Sequence, residues 1–364
     1  MTKKLSKYKK NRYGYEIVAS DILSRIIRGE WKKGARIDTI DELEKSYPYS
    51  RMTIFKAVQH LTSQKYLSMR RGSGVYVKNN SIIRKIGLVF SEDLHRHSST
   101  PISYLLLKSA EDFFDKKGID YKIYVEKYSA DPMEWLPLPE LESDLSNDEL
   151  NGLLTVGCNA PISLMQTELW KKHAIPHVSI TAHKNLKYNI IGDEDNLLSQ
   201  VFDYCANLQD KTLAIIAPGE NPGMVKRIQE LAETKNITIR PKWIMDDFII
   251  EGNPELEGYD HMLQLWQQDN NPRALFVTDD IVAKGVTMAA LRLNIEVPEK
   301  LLIISAANKN SGIFYPVPVV KFEFDTDEYI TNAGDLLLAM IDNPHIKPQE
   351  IKIQPVLNLD DLNS

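Results

Sequence analysis

The chain is poor in cysteine, with two in 364 residues, Cys158 and Cys205, far apart and without a CxxC partner. That argues against a disulfide framework or a cysteine-rich zinc site, and a reducing cytoplasm is the expected compartment. Long apolar runs are missing as well; none approaches the ~20 residues that cross a bilayer. The N-terminal stretch MTKKLSKYKKNRYGYE is basic with no apolar segment behind it, so no secretory leader is expected. Catalytic signatures are also absent: there is no GxSxG, GxxxxGKS/T or HExxH, and no GxGxxG after a strand. His173, His177 and His183 are four and six residues apart, but Ile175-Pro176 interrupts them, so no metal site is expected there. The reading is therefore of a protein that is not an enzyme, with no catalytic residue, cofactor, metal or membrane partner.

What is present is an uneven charge. The net charge of −6 conceals residues 1–80 with 18 Lys+Arg against 7 Asp+Glu, while the remainder holds 26 against 43. A basic head on an acidic body fits a nucleic-acid-binding module attached to a second function, although a solvated lysine tail gives part of the same signal. At roughly 100–200 residues per domain the chain has room for two or three domains.

The pattern inside the head is more specific. Tyr15, Val18, Ile22 and Ile26 recur at spacings of three and four, one apolar stripe of a helix that Gly29 ends. Thr39-Ile40-Asp41-Glu42 reads as a capping box opening a short second helix around Leu43, which stops near Tyr47-Pro48. Ser50 can cap a third helix with Ile54, Val58 and Leu61 on its inner face. Tyr66–Met69 and Val75–Val77 then alternate like paired strands around Arg70-Arg71-Gly72-Ser73-Gly74, a glycine-rich hairpin tip. Three short helices and a basic hairpin make a winged helix-turn-helix. The third helix would enter a major groove, with Arg51, Met52, Thr53 and Lys56 as its candidate contacts. Arg70, Arg71, Gly72 and Ser73 at the wing would approach phosphates and the adjacent minor groove.

These pieces, GEWKKGARI, DELEKSY, YSRMTIFKAVQHL and RRGSGVYV, resemble the DNA-binding domain of the GntR family over Tyr15–Val77. The resemblance implies that Arg51 and Thr53 lie where the family places polar side chains on its operator, and that Gly72 lies where the wing nears DNA. The chain departs from the pattern at Ile37-Asp38-Thr39, where the family usually has Leu-Pro-Ser, at Asp41, where a basic residue is common, and at Phe55, where Arg is common. Asp41 is expected to point away from the duplex or to accept from a cytosine amine, with Lys56 supplying the missing charge.

Behind a polar seam at about 78–83, residues 84–364 alternate strand and helix. Strands are expected at Lys85–Phe90, Tyr121–Val125, Leu153–Val156, Val178–Ile180, Thr212–Ala217, Ile237–Ile239, Ala274–Thr278 and Leu301–Ile304. Helices are expected at Ser103–Lys117, Ile162–Lys172, Asn196–Asn207, Met224–Thr234 and Ile281–Leu293. Two successive series of this kind predict an α/β body of two lobes with parallel sheets and a cleft between them.

The stretch RALFVTDDIVAKGVTMAALRLNIEVPEKLLIIS, with KIGLVF before it and VVKFEFDTDEYITNAGDLLLAMI after it, resembles the effector domain of LacI/GalR regulators. Those share the fold of periplasmic sugar-binding proteins, and the combination of the two domains is similar to arabinose-type repressors of sugar catabolism. The resemblance places Ser91, Glu92, Thr181, Arg227, Phe248, Asp279, Asn308 and Phe324 around the ligand. Carboxylates and Arg can pair with vicinal hydroxyls, and an aromatic face can cover a pyranose. Each has a plainer reading: Arg227 in a surface ion pair, Asp279 as a helix cap, Phe248 and Phe324 in the core, Glu92 as a solvated loop acid. His95 and His97, on the loop after the first body strand, are weaker candidates of the same kind. The family's GFDD appears here as Ser305-Ala306-Ala307-Asn308, so a ligand-binding Asp is lost and either Asn308 replaces it or the ligand differs.

The expectation is thus a cytoplasmic, ligand-responsive transcription regulator, most simply a sugar-responsive repressor. It would act as a homodimer on double-stranded DNA, with residues 1–80 reading DNA and residues 84–364 binding a small molecule and dimerising. A sugar-dependent activator, or an enzyme fused to a DNA-binding head, is the alternative.

Overall fold

The computed structural model describes residues 14–27, 30–63, 66–78, 85–90, 101–125, 138–157, 164–165, 167–181, 186–217, 222–246, 253–268, 270–343 and 345–362. The chain divides into two compact units, Met1–Arg84 with Asp342–Pro344, and Lys85–Ile341 with His345–Ser364.

The head contains α1 (Gly14–Ile27), α2 (Ile40–Ser46) and α3 (Arg51–Ser63), followed by the antiparallel pair β1 (Leu67–Arg70) and β2 (Gly74–Val77). Its core is the set of periodic apolar positions: Val18, Ile22 and Ile26 of α1 meet Leu43 of α2, Ile54, Val58 and Leu61 of α3, and Leu67 and Val77 of the hairpin. Full burial of each such side chain favours the folded state by about 1.5–3 kcal/mol. The capping box forms: Thr39 Oγ1 accepts from the Glu42 amide, and Glu42 accepts from the Thr39 amide at 2.7 Å. Those Thr39 donors hold the Glu42 carboxyl below its ordinary range. Residues 34–37 run beside β2, with the Ile37 amide donating to Val75 O and Val77 N donating to Ala35 O, both at 2.9 Å.

The body holds two six-stranded sheets. The first, in spatial order, is β13 (Gln349–Ile353), β7 (Tyr188–Gly192), β6 (His177–Ile180), β5 (Gly152–Val156), β3 (Lys85–Phe90) and β4 (Asp120–Val125), parallel throughout. The second is β14 (Val356–Asn358), β12 (Val320–Phe324), β11 (Leu302–Asn308), β10 (Ala274–Val277), β8 (Leu213–Ile216) and β9 (Ile244–Met245), parallel except for β14. The central strands read as unbroken apolar runs such as LAII and ALFV because helices cover both faces. In the first lobe α4 (Pro101–Lys117) covers one face, α5 (Pro139–Ser146) and α6 (Glu168–His173) the other. In the second lobe α7 (Glu194–Ala206) and α8 (Pro222–Lys235) cover one face, α9 (Pro254–Trp266) and α10 (Asp280–Arg292) the other.

The chain crosses between the lobes three times. It leaves β7 of the first lobe for α7, whose Leu197, Val201 and Phe202 lie in the second core. It returns from β12 into α11 (Thr326–Asp342), whose Ile330, Ala333 and Leu337 lie in the first core, and crosses again from β13 to β14. All three departing strands end at their carboxyl ends, so the carboxyl edges of both parallel sheets face the crossings and each other. Hydrogen bonds knit the crossings together: Asp193 N donates to Ile353 O at 2.8 Å, Gln354 Nε2 to Asp193 Oδ2 at 2.8 Å, and Gln200 Nε2 to Pro355 O at 3.1 Å. Burial alone would raise the Asp193 carboxyl, but Gln354, the Asn196 amide and Lys352 hold it below its ordinary value.

Two expected elements differ. Ile237–Ile239 forms no strand; only Thr238 bridges, to Thr212, because the segment turns at once into the 3-10 turn Pro241–Trp243. The helix expected over Ile162–Lys172 is the short Glu168–His173, capped by the Thr167 hydroxyl, while residues 158–163 and 166 lie outside the described set.

Helices α9 and α10 approach through glycine. A Cβ added at Gly285 would stand 1.8 Å from the Glu255 carbonyl oxygen, and one at Gly258 would stand 2.0 Å from that of Val282. Both obstacles are backbone. Gly285→Ala is expected to destabilise the body by about 3 kcal/mol, measured by urea unfolding; an unchanged midpoint would contradict this packing.

Candidate nucleic-acid interface and ligand cleft

Burial of Ile54, Ala57 and Val58 turns the opposite side of α3 outward, so Arg51, Met52, Lys56 and Gln59 are exposed and Thr53 and Phe55 half-buried. Ser50 closes the first turn, its Oγ 3.0 Å from Thr53 Oγ1, so part of the hydrogen-bonding capacity of Thr53 is used within the turn. Arg51 is less free than the sequence suggests. Its Nη1 donates to Asp41 Oδ1 of α2, and Glu44 Oε2 lies 4.0 Å from the same nitrogen. Asp41 therefore faces the first turn of the recognition helix. Its partner in the free protein is Arg51.

The wing tip exposes Met69, Arg70, Arg71, Gly72 and Ser73. Gly72 has φ +72° and Gly74 φ +117°, conformations that L side chains rarely adopt, and the Arg36 side chain crosses directly over Gly74. The Arg70 guanidinium stacks over the Tyr76 ring at 4.6 Å, and Ser73 Oγ lies 2.6 Å from Tyr76 Oη. Tyr76, a residue the sequence reading passed over, thus orders both candidate wing contacts; its one signal was an aromatic two residues after the glycine tip. Arg51, Lys56, Arg70 and Arg71 give the head an exposed basic character with backbone able to approach a phosphate.

In the body the candidate ligand residues separate. Asp279 and Asn308 come together through Asp280. Asp279 caps α10, its Oδ1 accepting from the Ile281 and Val282 amides at 2.9 Å, while burial raises its carboxyl above the ordinary range. Asp280 is 3% exposed and accepts from Asn308 Nδ2 at 2.9 Å, and Tyr315 Oη donates to its carbonyl at 3.2 Å. Burial, and then the charge of Asp279, push Asp280 up to about 6. The sequence held the signal for Asp280 as the second acid of the TDD turn, but capping arguments favoured only the first. A cavity of about 410 Å³ adjoins this group, lined by Asn308, Lys309, Ser311, Tyr315, Lys321 and Glu323 among others.

Thr181 lies at the carboxyl end of β6, its carbonyl accepting from Asn189 Nδ2 at 2.8 Å. Phe324 ends β12 at the second crossing; its ring packs against both lobe cores and meets Tyr329 edge-on at 6.4 Å. Arg227 is exposed on α8, paired with Asp195 at 3.7 Å and Glu230 at 3.5 Å. Ser91, Glu92 and Phe248, with His95, His97 and His183, lie outside the described residues. His177 is buried in β6, 2.9 Å from Thr155 Oγ1, and burial drives its pKa down to about 3, so it is neutral. His173 meets Asp148 at 3.2 Å instead. Among the described residues no three His, Cys, Asp or Glu side chains are grouped to hold a metal ion, and no helix is long and apolar enough to cross a membrane.

Asp280 sets a pH dependence. The unfolded chain gives up this proton near pH 4, whereas the fold keeps it to about pH 6. The stability it contributes is complete below the unfolded value and is lost as pH rises through about 6. Asp280→Asn stays uncharged and keeps an acceptor for Asn308. It is expected to raise the unfolding midpoint at about pH 7.5 and leave it nearly unchanged at about pH 4.5; equal midpoints for both proteins at the higher pH would contradict the assignment.

Comparison with known proteins follows the same division. Residues 14–77 match bacterial regulatory proteins of the gntR family, and residues 203–359 match the periplasmic binding protein-like domain. The chain is 29% identical over 140 residues to the HTH-type transcriptional repressor PurR of Yersinia enterocolitica, a match covering 38% of each chain. The chain thus spans 38% of the length of that curated relative. Among solved structures, a LacI family transcriptional regulator from Bifidobacterium animalis subsp. lactis superposes with TM-score 0.59 at 19% identity, covering 77% of this chain and 96% of its own. The transcriptional regulator CelR–cellobiose complex superposes with TM-score 0.60 at 14% identity, covering 95% and 98%. At such identities the likeness is one of fold. With its domain matches, the chain is a fusion of a GntR-type winged helix-turn-helix head with a periplasmic-binding-protein-like body that has the fold of LacI-family regulators.

Proposed function

We propose that the protein is a ligand-responsive transcription regulator, most simply a repressor of sugar catabolism. The observation that carries this reading is the exposure, on one small domain, of a recognition-helix first turn and a glycine-tipped wing, each bearing arginine. Arg51, Met52, Thr53 and Lys56 enter a major groove, while Arg70, Arg71, Gly72 and Ser73 engage backbone and minor groove. The protein acts as a homodimer, which suits paired half-sites about one helical turn apart. Exposed apolar side chains on the body, Phe314, Met288 and Leu291, support burial against a second copy.

The effector binds between the lobes, at the carboxyl ends of the sheets. Thr181 from the first lobe and Asp279 and Asn308 from the second offer hydroxyl, carboxylate and amide groups suited to a polyhydroxylated ligand. Ser91, Glu92 and Phe248, which lie outside the described residues, are assigned to the ligand by resemblance alone; Phe324 is the pivot between lobes, and Arg227 reaches ligand by exchanging its Asp195 partner. That CelR, which shares the fold, was solved with cellobiose favours a carbohydrate. Ligand changes operator affinity only if it binds one lobe arrangement better than the other; a tenfold preference is worth about 1.4 kcal/mol per site.

Two measurements test the reading. The full chain should bind duplex DNA with an affinity that falls steeply with salt, and Arg51→Ala with Lys56→Ala should weaken it by at least about tenfold; salt-independent affinity in both proteins would sink the DNA assignment. In thermal-shift screening of monosaccharides, disaccharides and sugar phosphates, one class should raise the body's midpoint, since ligand at 100 times Kd adds about 2.7 kcal/mol. A flat response across the panel would exclude a carbohydrate effector.

A further inference from the structure

We infer that Asp41 is a positioning residue that sets what Arg51 reads, biasing it away from phosphate and toward a base edge. The inference rests on the proposed DNA-binding role of the head and deepens it. Three observations meet at one guanidinium. Asp41 Oδ1 accepts from Arg51 Nη1, Glu44 Oε2 stands 4.0 Å from that nitrogen, and both acids lie one turn apart on the α2 face that looks at the start of α3. The group is not buried: side-chain exposure is 63% for Arg51 and 66% for Asp41, so the remaining guanidinium donors point into solvent where a duplex would lie.

The chemistry of the two kinds of DNA acceptor then decides the effect. A phosphate attracts arginine mainly through net charge, and here that charge is offset by two carboxylates which phosphate also repels. Guanine O6 and N7 are uncharged acceptors that need correctly aimed N–H donors. An ion-paired arginine keeps its Nε and Nη2 donors while part of its pull on phosphate is cancelled, a partial effect because the pair is solvent-exposed. Holding Nη1 also restricts a side chain that otherwise samples many rotamers, so less order is imposed at the moment of binding. Asp41 therefore lowers sequence-independent affinity and raises discrimination at one guanine.

The test uses the full chain, with Asp41→Ala and Asp41→Glu. Affinity for poly(dA–dT), which offers no guanine, is measured across a salt series, and base preference is read by enrichment from a random-sequence duplex library. Asp41→Ala should bind poly(dA–dT) more tightly at low salt, with a log–log salt slope steeper by about 0.9 per head for one added phosphate contact. It should lose roughly tenfold preference at one guanine position, and Asp41→Glu should restore both. A purely structural Asp41 would shift the unfolding midpoint without moving slope or preference. If wild type enriches a guanine-bearing sequence and Asp41→Ala enriches the same one equally, the inference is overturned while DNA binding stands. If wild type binds neither pool in a salt-dependent way, the DNA-binding reading falls and this inference with it.

Discussion

The body depends on one constraint: its two sheets are joined by three chain crossings, at Asp193, Asp325 and Gln354-Pro355. Because every crossing strand leaves at a carboxyl end, those edges are forced to oppose one another. The strand-end groups of each lobe are thereby presented to the other. The crossings are well tied. Asp193 bonds both the helix it caps and the third crossing, and Lys309 holds Asp325 at 2.7 Å. Gly192 and Phe324 pack so closely that a Cβ at Gly192 would stand 3.2 Å from the Phe324 ring and 2.6 Å from Tyr329 Oη. Each sheet carries a packed apolar core on both faces, so any movement between lobes would work through these few torsions.

In the head the governing forces are different. A single small core fixes three helices and a hairpin, and what remains outside is decided by charge. The acids of α2 do not simply dilute the basic surface. Asp41 and Glu44 gather at Arg51, whereas Lys56, Arg70 and Arg71 form no ion pair with an acid among the described residues, and Arg70 is spread over an aromatic ring instead. Cations on the same domain therefore present different chemistry to a duplex.

Much of this was legible in the sequence. The period of Ile54, Val58 and Leu61, the Thr39–Glu42 box and the glycine tip are local signals, and each corresponds to an element in the head. The strands KIGLVF and ALFV were legible because burial on two faces leaves no polar residue after Lys85 in the first and none in the second. What sequence could not give were relations between distant residues. The Arg51–Asp41 pair spans two helices, the Asn308–Asp280 bond spans a strand and a helix, and Phe324 packs against two cores at once. The Ile237–Ile239 stretch shows the opposite failure: its β-branched composition favoured a strand, yet the chain turns after a single bridge. Asp280 was hidden for a similar reason, since spacing marked its neighbour as the cap and only burial marks the acid behind it.

The proposed function requires that ligand in the body and DNA on the head be coupled through one two-state element. Thermodynamic linkage makes this measurable in reverse, because each ligand must change the other's affinity by the same factor. Calorimetric titration of the effector found by screening, with and without the duplex selected by the head, is the direct test. Duplex is expected to alter effector Kd by about fivefold or more, and effector to alter duplex Kd by the same ratio. Effector affinity indifferent to saturating duplex would show two domains that share a chain without a shared switch.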